Sequence, residues 1–156
     1  MTLTPNMEIL LVGILGDVRR LEAVPDKSPP GMRHEQWRTL WRERRDYDQF
    51  GVYHDLAPWL HGEPTASDSA VFSRALRNME AMGLVLRVNC WGGSKTTHVR
   101  LTPLGRAEAE RLVAEQAAAL AALLKDFELS VEGLNETPPV PPQDADDSLD
   151  FPSPQR

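Results

Sequence analysis

The side chains of this 156-residue chain that are best suited to chemistry are cations, amides and hydroxyls gathered in one short stretch. Between Val71 and Arg106 six bases (Arg74, Arg77, Arg87, Lys95, Arg100, Arg106) face one acid, Glu80, a net of +5 in a chain whose formal net charge is −6. The contrast arises at the C-terminal end. Residues 126–156 hold eight acids and one base, Arg156, a net of −7, which leaves +1 for the first 125 residues. Arginine pairs bidentately with guanine, asparagine with adenine, and serine with either bases or phosphates. Ser69, Ser73, Arg74, Arg77, Asn78, Lys95 and Arg100 are therefore the candidate contacts to duplex DNA.

Other chemistries find little support. No serine, cysteine or carboxylate stands in a nucleophile, metal or phosphate-loop motif, so neither an enzyme nor a cofactor is expected. His34, His54, His61 and His98 lack ligand-like spacing, and no metal site is expected. Cys90 has no second cysteine to pair with. A redox role would need a neighbouring base such as Arg87 or Lys95 to favour its thiolate; a small half-buried strand residue is the simpler reading. The apolar run Ile9–Leu15 is shorter than the roughly 20 residues that span a bilayer and has no basic region before it. A cytoplasmic protein without a membrane partner is the expectation.

These candidates must be positioned by regular elements. Thr65-Ala-Ser-Asp68 matches a capping box and opens a helix whose Phe72, Ala75, Leu76, Met79 and Met82 form one buried stripe. That stripe leaves Ser69, Ala70, Ser73, Arg74, Arg77 and Asn78 outward. Gly83 ends the helix at the usual C′ position. Leu84–Cys90 and Thr97–Leu101 read as paired strands around the turn Trp91-Gly-Gly-Ser-Lys-Thr96. Thr102-Pro103 then starts a helix that runs to about Ser130, with Leu112, Gln116, Ala119, Leu123 and Phe127 on one stripe.

Upstream, Pro5–Ala23 reads as a helix with Asn6 as its cap, in which Gly13 and Gly16 suggest close approach of another helix. Pro25–Gly31 is a connector, and Arg33–Asp48 a second helix. Tyr47–Leu60 reads as a shorter helical stretch interrupted near Gly51 and Pro58. Residues 137–156 form an acidic, proline-rich tail expected to be disordered, either a solvated charge run or a competitor of DNA for the basic face.

The order of capped helix, glycine, hairpin and threonine-proline-capped helix is that of a winged helix-turn-helix. Ser73–Arg87 resembles the recognition helix and first wing strand of the multiple-antibiotic-resistance regulator (MarR) family. His98–Arg106 resembles that family's second wing strand and the start of the following helix. The phenolic-acid regulator (PadR) family shares nearly the same stretch, and both branches stay open.

The resemblance implies a mainly α fold with a small β-hairpin wing, a winged helix-turn-helix core at about 46–111, and a domain spanning 1–136. It further implies a homodimer held by the first and last helices, and the apolar Ile9–Leu15 and Leu112–Phe127 agree with that. Such a dimer would read a pseudo-palindrome as a repressor. A small-molecule effector could then sit in a pocket lined by Trp37, Trp41 and Tyr53, from the aromatic set that includes Tyr47, Phe50 and Trp59; core packing is the competing role for that set. Trp91 would either contact a partner or pack under the wing. The rival function is a winged helix that binds proteins and not specific DNA, suggested by the overall acidity, a wing tip with one charge, and the apolar Trp91.

Overall fold

The computed structural model describes residues 2–135, with side chains described to residue 130. The elements run α1 (Pro5–Glu22), α2 (His34–Phe50), β1 (Val52–Tyr53), α3 (Leu56–Leu60), α4 (Ala66–Ala81), β2 (Val85–Val88), β3 (His98–Leu101) and α5 (Pro103–Asn135). The result is mainly helical, with a three-stranded antiparallel sheet in the order β1-β3-β2. Contacts group the chain into two units that divide between Ala119 and Leu120. The expected disordered tail at 137–156 lies outside the described residues.

α1 is the centre of the first unit. Leu10, Leu11, Ile14 and Leu15 are fully buried, each such side chain contributing roughly 1.5–3 kcal/mol. They pack with Val52, Leu56, Phe72, Leu76, Met79, Leu84 and Val99. Most of the apolar surface that suggested a dimer contact at Ile9–Leu15 is thus covered by the chain itself, with Ile9 left partly exposed. The helix begins differently from expectation. Thr4 occupies the N-cap with Pro5 at the first position, and Asn6 lies inside the first turn, because proline's fixed φ sets the start. Gly13 does accept a close neighbour: a Cβ there would stand 2.6 Å from Cγ of Trp59 on α3. Gly16 has open space beside it.

α2 buries no residue. Polar contacts fasten it instead. Arg44 donates to the Leu21 and Glu22 carbonyls at 3.0 Å each, satisfying the C-terminal turn of α1, where a cation also suits the helix dipole. Tyr47 Oη donates to Glu22 at 3.1 Å, and Arg20 pairs with Glu43 at 2.9 Å.

The stretch expected to be helical from Tyr47 to Leu60 is divided. Gly51, at φ +102°, ends α2, and a Cβ there would lie 2.6 Å from the Val99 carbonyl oxygen. The chain thereby drops onto β3, pairing Val52 with Val99 and Tyr53 with His98. A two-residue strand is too short to show alternation in a sequence, so β1 left no periodic signal. α3 follows, with Asp55 accepting the Ala57 N–H at 3.1 Å. Pro58 is tolerated because it falls in the first turn, where its missing N–H would have had no intrahelical partner.

The capping box at Thr65 forms in full, with both Asp68 N–H to Thr65 Oγ1 and Thr65 N–H to Asp68 Oδ2 present. Gly83 takes φ +73° after α4. At the far side of the hairpin, Thr102 accepts the Gly105 N–H at 3.0 Å and donates to the Gly83 carbonyl at 2.6 Å. A Cβ at Gly105 would overlap the Leu84 carbonyl oxygen, so only glycine lets α5 start this close to β2. Arg106 adds a bidentate pair with Glu22 at 2.8 and 3.0 Å, which holds that carboxyl below its usual range. Along the expected α5 stripe Leu112 is buried, whereas Gln116, Ala119, Leu123 and Phe127 are exposed.

Candidate nucleic-acid interface

Because Phe72, Ala75, Leu76 and Met79 face the core, α4 turns its other side outward. Ser69, Arg74, Arg77 and Asn78 are exposed, and Ser73 is half-buried. No other part of the described chain covers Arg74 or Arg77, and the only side-chain hydrogen bond between them runs from Arg74 Nε to the Ala70 carbonyl of its own helix, at 3.4 Å.

The six bases of the Val71–Arg106 stretch separate into two groups. Arg87 pairs with Glu80 at 2.6 Å, and its backbone N–H donates to the same carboxylate at 3.1 Å. That backbone bond, followed by the side-chain bond, depresses the Glu80 carboxyl below its usual range despite partial burial. Arg106 is held by Glu22 and Glu110. Arg100 donates to the Asp48 and Gln49 carbonyls in the last turn of α2, at 3.3 and 2.9 Å. Glu80 is taken by Arg87 and is not available to Arg100, and a DNA contact by Arg100 competes with this capping of α2. The remaining bases, Arg74, Arg77 and Lys95, have no acidic partner among the described residues.

A groove of about 250 Å³ joins α4 to the hairpin, lined by Ser73, Arg77, Arg87, Ser94, Lys95 and Thr96. Ser69, Arg74, Asn78 and Arg100 lie outside it. His54 lies against the same groove, with Nε2 buried and without a partner among the described residues, and burial lowers the pKa of its imidazole. Sequence reasoning missed Ser94 and Thr96, although both flank Lys95. His54 stands some forty residues away in the chain, and no local pattern could have found it.

The hairpin turn is braced by one side chain. Asn89 Oδ1 accepts the Trp91 N–H at 2.8 Å, and Asn89 Nδ2 donates to the Lys95 carbonyl across the turn. Gly92 takes φ +77° between them. Trp91 is 85% exposed, so it does not pack under the hairpin. Cys90 is half-buried, its N–H bonded to Thr97 Oγ1 at 3.0 Å.

Trp37, Trp41 and Tyr53 do not form one pocket. Trp37 and Trp41 lie at a tilt to each other on α2 with ring centroids 6.3 Å apart, Arg45 lies over Trp41, and Trp37 donates to the Pro25 carbonyl. Tyr53, 63% exposed, stands edge-on to His98 and lines a separate cavity between α1, α2, β1 and α3. The three were grouped on residue type and the family resemblance, and β1 carries Tyr53 to the sheet, away from the α2 pair. Of the six aromatics in the wider set only Trp59 is buried, its Nε1 donating to Asp17 at 2.7 Å.

Among the described residues no group of three or more His, Cys, Asp or Glu could hold a metal ion. No described helix is long and apolar enough to cross a membrane. Comparison with protein-family models, with curated proteins and with solved structures finds no match to this chain.

Proposed function

We propose that the protein is a cytoplasmic DNA-binding transcriptional regulator, a repressor whose α3, turn and α4 form a helix-turn-helix and whose β2–β3 hairpin is the wing. In this reading α4 enters the major groove, where an α-helix fits. Arg74, Arg77 and Asn78 meet base edges, Ser69 and Ser73 bases or phosphates, and Lys95 an adjacent phosphate. Arg100 steadies the hairpin from behind. The exposed apolar residues of α5 join two copies, which read a pseudo-palindrome. The order of elements and the likeness of Ser73–Arg87 and His98–Arg106 to MarR- and PadR-type regulators support this reading.

One observation carries it. Of six bases in the stretch, Arg87 and Arg106 pair with acids and Arg100 is tied to the α2 carbonyls, whereas Arg74, Arg77 and Lys95, on α4 and the hairpin tip, donate to no group outside their own helix among the described residues. A polyanion contact needs accessible bases without acidic partners, and α4 with the hairpin tip supplies three on one face. The test is titration of labelled duplex DNA at about 50 and about 200 mM salt, each neutralised phosphate steepening the dependence by about 0.9 log unit. Affinity should fall by orders of magnitude, and Arg74→Ala with Arg77→Ala should abolish specific binding while leaving the fold intact. A chain that binds no duplex at either salt would instead favour the protein-binding module, for which the solvent-facing Trp91 is the specific observation.

A further inference from the structure

Trp91 is the most exposed large apolar side chain among the described residues, yet the turn that carries it is fixed. Asn89 accepts the Trp91 N–H and donates to the Lys95 carbonyl across that turn. Tyr53 is also exposed and also held, by the pairing of β1 with β3 and by the His98 ring, edge-on at 5.6 Å. Both aromatic rings line one cavity of about 150 Å³, together with Asn89 and Thr97. Two rings held in water beside a shared hollow leave apolar faces bare that a flat partner would cover.

That cavity shares His54, Lys95 and Thr96 with the groove of about 250 Å³ beside α4. Neither hollow is lined by an aspartate or a glutamate. Arg77 and Lys95 supply positive charge without an acidic partner among the described residues, and the Ser73, Ser94 and Thr96 hydroxyls add donors. His54, common to both hollows, is an independent sign of a ligand. Its Nε2 is buried and has no partner among the described residues. A buried polar nitrogen left one hydrogen bond short is rare in a folded chain and calls for a polar group from outside it.

Aromatic faces in one hollow, with cations and hydroxyls in the next, match a flat base joined to a phosphate. We propose that the two hollows form one site for single-stranded nucleic acid, with an unstacked base against Trp91 and Tyr53 and its phosphate between Arg77 and Lys95. Every base has a face that can stack on an aromatic ring, so the site tolerates any sequence. A base in a paired duplex stays stacked on its neighbours, and the two rings therefore select single strands. The duplex reading uses Arg77 and Lys95 but leaves Trp91 and Tyr53 idle, and this site goes beyond it.

The probe is a labelled oligothymidylate of about ten nucleotides, within the reach of a strand-binding surface, and its control is an abasic strand of the same length. Each is titrated with the full chain by fluorescence anisotropy at one low salt concentration. Both strands carry the same phosphates, so the salt-dependent part of their attraction is common. The thymidylate should bind about tenfold more tightly, the scale of one stacked base. Trp91→Ala, at an exposed position, should bring the thymidylate down to the affinity of the abasic strand without lowering the latter. Equal binding of the two strands, a preference that survives Trp91→Ala, or no saturable binding of the thymidylate would each overturn the proposal.

Discussion

Ile14 of α1 and Leu123 of α5 are both branched aliphatic side chains on long helices, yet Ile14 is fully buried and Leu123 is 67% exposed. α1 meets α2, α3, α4 and the sheet within one unit. Leu120, Leu123, Leu124, Phe127 and Leu129 of α5 all remain exposed. Helices of similar apolar character can therefore play opposite parts, one organising its own chain and the other left with surface for something else. Apolar content identifies a face that prefers to be covered; it does not say by what.

The hardest test of this contrast is Ile14→Ala. Removing three carbons from a fully buried site should cost about 3–4 kcal/mol, read as a lower denaturant midpoint with an unchanged slope. Wild-type stability would mean that α1 is not the core. Gly13→Ala should come next. Trp59 is fixed by Asp17, so the added methyl has little room, and a net loss of about 1–2 kcal/mol is expected even after the gain in helix propensity. A rise in melting temperature would show that Trp59 can move aside.

A gentler probe is pH. His54 and His98 both have pKa values lowered by burial, so the unfolded chain takes up their protons first as pH falls below about 6.5. Their contribution is complete above that pH and is lost on acidification. The melting temperature should be lower at pH 5.5 than at pH 7.5, and equal values would contradict burial of these rings. The smallest change in stability belongs to Leu123→Ala with Phe127→Ala, within about 0.5 kcal/mol for the single chain. Sedimentation of the same variant should show loss of any dimer; a dimer that persists would place the interface elsewhere.

How much was legible follows from the range of each interaction. The capping box at Thr65, the stop at Gly83 and the start at Thr102 are local, and each occurs where residue type and spacing put it. β1 escaped because two residues carry no period. The fate of the bases escaped for a different reason: Arg87 and Glu80 meet across a helix-to-strand junction, and Arg100 reaches carbonyls about fifty residues earlier in the chain. Charge counting located the basic stretch correctly and could not tell which members of it were already spent. Tyr53 and Trp37 illustrate the same gap, since type suggested a common role and topology put them on different elements.

The four tryptophans now form an optical scale. Trp59, sealed beside Asp17, and Trp91, held out on the Asn89-braced turn, sit at opposite ends of solvent access. Emission from the first should be blue and shielded from a dissolved quencher, while that from the second should be red and readily quenched. A single fluorescence spectrum can therefore report on the interior and the hairpin tip at once, and tell unfolding apart from capture of the tip by a partner.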